Sequence, residues 1–312
     1  MPSAADLRRE FGERLQEGVS LARFTSSRVG GPADFLIEVR GVEALRSTAV
    51  RLWAMGAAFR VLGGGSNVLV ADGGVREVVV LNQARRVTFD DAASRPSVSA
   101  ESGASFGSLA RRAAERGLSG LEWAATIPGS VGGAVVGNAG AHGGDVARAL
   151  ESAEILQPPD RLEEWPVERL EYGYRTSWLK RHPGQAVVLS ARFPLTAADP
   201  EVVRARVEAN VEQRQATQPA GASWGSMFKN PAGDFAGRLI EAAGLKGARV
   251  GQAEISRRHA NFFLNLGGAT AADVAGLLTL ARRKVRETAG VDLELEIELI
   301  GDWPPDVREA LR

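Results

Sequence analysis

The stretch between residues 127 and 143 restricts the possible folds of this chain more than any other segment. It holds no Asp, Glu, Lys or Arg; Gly129, Gly132, Gly133, Gly137, Gly140 and Gly143 interrupt it, with Pro128, Ser130, Asn138 and His142 between them. Side chains this small cannot build a core of their own, and they leave the backbone open to close approach. One reading is an irregular loop packed between domains. The other is a surface on which a large planar ligand and its phosphates lie directly against the main chain. The length of the segment favours the second, because long segments without regular structure inside compact proteins are usually functional or disordered. The glycines cluster at residues 63–74 and 117–144 without a period, which speaks for tight turns and close contacts and not for a linker.

The rest of the chain has the composition of an ordinary globular protein. Hydrophobic residues make up 44% and charged residues 24%, which argues against disorder, collagen-like repeats and coiled coil. A length of 312 residues suits two or three domains. Lys plus Arg equals Asp plus Glu at 38 each, so no global field draws in nucleic acid or an anionic membrane, and an anionic ligand needs a local site. With no cysteine, disulfides, cysteine-ligated zinc, iron–sulfur clusters and a cysteinyl-linked flavin are excluded. His142, His182 and His259 show no metal-ligand spacing, so no metal is expected and any redox chemistry falls to an organic cofactor. Residues 1–12 are polar, and no apolar run reaches about eighteen residues. A cytoplasmic protein with no signal peptide, no membrane contact and no nucleic-acid partner is therefore expected.

Apolar runs at residues 35–39, 59–62 and 78–81 around a helical stretch at 42–55 predict a small α/β unit. Strands at 97–101, 153–156 and 187–193 with a helix at 106–116, closed by Gly117, predict an α+β unit. A composition shift at 194–200 marks a boundary near residue 197. Beyond it, helices are expected at 201–215, with Val203, Val207 and Val211 on one face, at 235–243, and at 270–288, where Thr270 and Asp273 make a capping box. Residues 293–300 alternate as a strand that would place Glu294, Glu296 and Glu298 on one face. The predicted division is 1–85, 86–197 and 198–312.

Four further motifs carry chemical possibilities. Gly63, Gly64, Gly65, Ser66 and Asn67 form a turn whose N–H groups suit a phosphate, although the pattern is neither a Walker loop nor a dinucleotide fingerprint. Tyr174 and Arg175 set a guanidinium among aromatics and hydroxyls, able to bind a carboxylate through two bonds. Ser226, Lys229 and Asn230 bring a hydroxyl, an ammonium and an amide into one polar loop. Glu296 lies on the acidic strand face. Taken singly, each also reads as an ordinary turn or a wetted surface.

In this order, from Val29-Gly30-Gly31-Pro32-Ala33 and Gly63-Gly64-Gly65-Ser66-Asn67, through Ile127-Pro128-Gly129-Ser130 and Tyr174-Arg175-Thr176-Ser177, to Gly225-Ser226-Met227-Phe228-Lys229-Asn230-Pro231 and Glu296, the segments resemble the UDP-N-acetylenolpyruvoylglucosamine reductase (MurB) family of the vanillyl-alcohol-oxidase-like superfamily. The chain looks like its shorter type, without a tyrosine-loop insertion. The resemblance implies an α+β protein: a two-part FAD-binding region of the vanillyl-alcohol-oxidase/PCMH type at 1–85 and 86–197, and an α+β substrate-binding domain at 198–312. It implies non-covalent FAD held by Gly63, Gly64, Gly65, Ser66, Asn67, Pro128, Gly129, Ser130, Gly132, Gly133, Asn138 and Gly140. It further implies NADPH-dependent reduction of UDP-N-acetylglucosamine enolpyruvate to UDP-N-acetylmuramate, with hydride from flavin N5 and a proton from Ser226. In that scheme Arg175 and Glu296 support the substrate carboxylate, and Tyr174, Arg175, Lys229 and Asn230 bind substrate. A monomer is expected. The alternatives are another FAD-dependent oxidoreductase of the superfamily or a non-catalytic nucleotide-sugar or flavin-binding protein.

Overall fold

The computed structural model describes residues 2–92 and 94–311. The chain divides into two compact units: Met1–Gln16, Leu36–Gly64 and Val78–Arg214 form unit 1, and Glu17–Phe35, Gly65–Glu77 and Gln215–Arg312 form unit 2. The segment 86–197 falls within unit 1, while 1–85 and 198–312 are each shared between the units. Helices and strands are mixed in both, giving the expected α+β class.

In unit 1, Phe59–Leu62 runs parallel to residues 78–81 in the register Phe59↔Val78 to Leu62↔Leu81. The helix Val42–Ala54 buries Leu45, Thr48, Ala49 and Leu52, one face at helical spacing. A second, wholly antiparallel sheet orders Arg161–Pro166, Ser152–Gln157, Val187–Pro194, Ser97–Glu101 and Val87–Asp90. The helix Phe106–Glu115 packs its Phe106, Leu109, Ala110 and Ala113 into the core beneath it, and Gly117 follows in the left-handed region at φ 68°. Thr196–Ala197 pairs with Leu118–Ser119, and Pro200–Thr217 buries Val203 and Val207 in the same core.

Unit 2 has an antiparallel sheet ordered Ser223–Ser226, Phe262–Asn265, Ala253–Ile255 and Arg249–Val250. The helix Ala271–Ala289 lies over its core with Val274, Leu277, Leu278, Ala281 and Val285 buried. Thr270 and Asp273 make the expected capping box, and the Asp72 carboxylate accepts from Ala271 N and Ala272 N at 2.8 and 2.9 Å, so the first turn is satisfied twice over. The strand expected at 293–300 is cut to Glu298–Ile300, which pairs in parallel with Val68–Val70. Its earlier part is held by loops instead, since Glu296 N donates to Met227 O. Glu296 is half-buried and Glu298 exposed. Among the described residues no helix is long and apolar enough to cross a membrane, and no group of three or more His, Cys, Asp or Glu side chains is placed to hold a metal ion.

Candidate active site

The small-residue tract is partly regular. Residues Val131–Gly137 form a helix despite three glycines, because Ser130 caps it, its Oγ accepting from Gly133 N at 3.4 Å, and because Val131, Ala134 and Val135 are buried on its inner face. Its outer face is bare. Gly133 is exposed and a β-carbon there would meet only Ser130 Oγ at 3.5 Å, while one at Gly137 would meet nothing within 4 Å. The turn ahead of the helix lies against the first glycine turn. A β-carbon at Gly63 would stand 2.1 Å from Ser130 Oγ, and one at Gly64 would stand 2.7 Å from Gly129 Cα. The contact at Gly64 is with backbone and admits only glycine, whereas at Gly63 it is with the Ser130 side chain, which a β-carbon would displace. Gly132 is equally confined, 2.9 Å from Ser102 Cβ, and Asn82 Nδ2 holds the Ser102 hydroxyl at 2.8 Å. Unit 1 therefore brings Gly63, Gly64, Gly129, Ser130, Gly132 and Gly133 together and leaves an open, side-chain-free helix face next to exposed Pro128.

Gly65, Ser66 and Asn67 belong to unit 2. Gly65, at φ 57°, sits with its β-carbon position 2.1 Å from Phe24 O, so both its conformation and its surroundings exclude a side chain. Asn67 turns toward the acidic segment: its Nδ2 donates to Glu296 O at 3.1 Å and its carbonyl accepts from Glu298 N at 2.9 Å.

Arg175 belongs to unit 1 and emerges from a two-residue turn closed by Gly173 and Thr176, whose N–H groups donate to each other's carbonyls at 3.1 and 3.3 Å. It is held at φ 56°, unusual for a residue with a β-carbon. This segment satisfies carbonyls of the last turn of the Val131–Gly137 helix, which have no partners inside the helix, and others just beyond its end. Tyr172 Oη donates to Val135 O at 2.9 Å, Ser177 Oγ to Val136 O at 2.7 Å, and Arg175 Nη1 and Nη2 to Asn138 O and Gly140 O at 3.4 and 3.0 Å. Burial, with the Asp145 charge adding to it, pushes the Tyr172 phenol far above its usual range and keeps it a donor. The Arg175 guanidinium lies over the exposed Tyr174 ring, 5.3 Å from its centroid.

Unit 2 holds the remaining groups. The segment expected as a polar loop is in part the strand Ser223–Ser226, paired to Phe262–Asn265 with a register shift between Ser223 and Ser226, where Gly225 has a φ of 77°. Trp224, only 2% exposed, fills the core below with no hydrogen-bond partner for its Nε1. Past the strand, Glu296 N donates to Met227 O at 2.9 Å and Lys229 N to Glu294 O at 2.8 Å, so the residues after Ser226 run beside those around Glu296. Lys229 Nζ pairs with Glu294 at 3.1 Å, and Asn230 Oδ1 accepts from Ala236 N at 3.0 Å, at the start of the Ala236–Ala242 helix. Asn261, 3% exposed, was missed by sequence reasoning. Its Oδ1 accepts from Phe228 N at 3.0 Å, its Nδ2 donates to Phe228 O at 2.8 Å, and its carbonyl takes Met227 N at 2.9 Å. The available signal was a lone amide inside the apolar stretch from Ala260 to Leu264.

Two family models match. One is described as "UDP-N-acetylenolpyruvoylglucosamine reductase, C-terminal domain" and covers residues 215–300; the other, "FAD binding domain", covers 33–161. The chain is 45% identical over 291 residues to the UDP-N-acetylenolpyruvoylglucosamine reductase of Chloroflexus aggregans, spanning 92% of this chain and 97% of the relative. It is 46% identical over 284 residues to that of Rubrobacter xylanophilus, spanning 90% and 94%. Among solved structures, the crystal structure of UDP-N-acetylenolpyruvylglucosamine reductase (MurB) from Thermus caldophilus superposes with a TM-score of 0.78 at 40% identity, covering 93% of this chain and 99% of that one.

Proposed function

The chain belongs to the UDP-N-acetylenolpyruvoylglucosamine reductase family, and on that premise we propose that it reduces UDP-N-acetylglucosamine enolpyruvate to UDP-N-acetylmuramate in peptidoglycan precursor synthesis. FAD is the cofactor and NADPH the reductant. The bare face of the Val131–Gly137 helix and the packed turns at 63–64 and 129–130 fit a flat dinucleotide, since a ring system can lie where no β-carbon intervenes. Gly63, Gly64, Gly129, Ser130, Gly132 and Gly133 are the residues that would hold it. When bound, FAD supplies to the terminal enolpyruvyl carbon the hydride taken from NADPH.

Hydride addition at that carbon drives the electron pair of the double bond toward the α-carbon and the adjoining carboxylate. Arg175 counters the growing charge with a guanidinium, and Glu296 is the second group assigned to that carboxylate. Ser226 gives its hydroxyl proton to the α-carbon and regains one from solvent. Lys229 and Asn230 bind the UDP pyrophosphate, and Tyr174 lines the substrate side. The observation that carries this reading is the pairing of the two strand-like segments in unit 2, which sets the Glu296 N–H on the carbonyl of the residue next to Ser226. The three-part division at 85 and 197, a cytoplasmic location and a monomeric state belong to the same proposal, and the family match over 215–300 supports a separate C-terminal substrate domain.

The test is anaerobic spectroscopy of the FAD-loaded protein. NADPH should bleach the flavin band, and UDP-N-acetylglucosamine enolpyruvate alone should restore it. Bleaching without recovery would reject the substrate, and protein that cannot be loaded with FAD would reject the cofactor. Ser226→Ala should bleach normally and recover slowly; recovery at the wild-type rate would remove Ser226 as the proton donor.

A further inference from the structure

Asn138 belongs to the residues expected at the cofactor, yet its side chain is spent within the protein. It is 6% exposed and ends the Val131–Gly137 helix in the left-handed region at φ 46°. Its Nδ2 donates to Gly173 O at 2.9 Å, and its Oδ1 accepts from Ala147 N at 3.0 Å. Gly173 is the base of the turn that carries Tyr174 and Arg175, and the Arg175 guanidinium returns to donate to Asn138 O at 3.4 Å. One residue thus holds the arginine at both ends, its side chain at the root of the turn and its carbonyl at the tip. A free arginine samples many rotamers, and a turn at φ 56° opposes the preference of a residue with a β-carbon. Both costs fall on the reaction unless the protein meets them beforehand.

We propose that Asn138 is a positioning residue for Arg175: its amide, fastened to Gly173 O and Ala147 N, holds the Gly173 to Thr176 turn in the conformation that presents the guanidinium to the substrate carboxylate. The proposal rests on the role of Arg175 given above. It makes the Asn138 amide part of the substrate machinery and not a flavin contact.

The test uses Asn138→Gly, which keeps the left-handed backbone and the carbonyl, together with Arg175→Ala and the double variant in the FAD-loaded protein. Asn138→Gly should keep FAD affinity and the rate of bleaching by NADPH within about twofold of wild type, while reoxidation by UDP-N-acetylglucosamine enolpyruvate slows about tenfold, the scale expected for losing a buried hydrogen bond that fixes a charged group. The double variant should reoxidise no more slowly than Arg175→Ala, because a residue that acts through the arginine has nothing left to act on. Weakened FAD binding with normal reoxidation would overturn the proposal, and so would additive losses in the double variant. If Arg175→Ala reoxidised at the wild-type rate, the premise itself would fail and take the proposal with it. Asn138→Asp keeps the acceptor for Ala147 N but sets a charged carboxylate oxygen against Gly173 O in place of the donor, so it breaks the same bond by repulsion and carries the same test if the glycine variant does not fold.

Discussion

A single methyl group on the outer face of the Val131–Gly137 helix should act in opposite directions on folding and on cofactor binding. At Gly133 the added β-carbon has one neighbour, Ser130 Oγ at 3.5 Å, which is ordinary contact. Gly133→Ala therefore removes the flexibility of a helical glycine without a clash, and the FAD-free protein should gain about 0.5–1 kcal/mol. If the flavin lies on this face, the same methyl takes room from the ligand. Overpacking of a tight contact costs about 1–3 kcal/mol, which corresponds to a rise in FAD Kd of about 5-fold to about 150-fold. Gly132→Ala is the internal control, because its β-carbon would meet Ser102 Cβ at 2.9 Å inside the protein and should destabilise the FAD-free chain. Urea unfolding of the FAD-free variants and fluorescence titration with FAD measure the two quantities separately. The reasoning is refuted if Gly133→Ala unfolds no later than wild type, or if it binds FAD with the wild-type Kd.

Gly63→Ala places a β-carbon 2.1 Å from Ser130 Oγ and displaces the helix cap, so it should cost about 1–3 kcal/mol. Adding Ser130→Gly removes the clashing atoms and should restore part of that loss in urea unfolding; equal midpoints for single and double variants would reject the contact. Glu294 holds Lys229 Nζ at 3.1 Å, so Glu294→Gln should lower KM for the UDP substrate a few-fold with kcat unchanged, whereas an unchanged or raised KM would remove Lys229 from the pyrophosphate. Burial lowers the pKa of His259, whose Nδ1 accepts from Asn261 N at 3.3 Å. Its contribution to stability is complete above the unfolded value of about 6.5 and is lost as pH falls through the lower folded value, because the unfolded chain takes up the proton first. Urea midpoints measured from about pH 7.5 to about pH 5 should therefore decline less in His259→Asn than in wild type, and parallel declines would assign the effect to other groups.

What could be read in the sequence was what depends on residue identity. The strands Phe59–Leu62 and Ser97–Glu101 and the helix Ala271–Ala289 follow from apolar patterning and a capping box, and they formed where those signals stood. The Val131–Gly137 helix was not legible, since Gly132, Gly133 and Gly137 argue against a helix, and the Ser130 cap together with burial of Val131, Ala134 and Val135 overrides that preference. The acidic strand was overextended for the complementary reason: its alternation holds, but the partner strand Val68–Val70 is only three residues long, so pairing stops at Glu298. Arg175 shows the deepest limit. Its residue type and its aromatic neighbour make it a candidate anion binder, yet what holds it is a set of bonds to the carbonyls of Asn138 and Gly140, with Tyr172 and Ser177 on those of Val135 and Val136. A backbone carbonyl is the same acceptor at every position, so no residue type records which one will be used. The choice is made by the helix end that the fold carries to the 172–177 segment. Asn138 is the exception that can be tested, because there the same residue also spends its side chain on the turn.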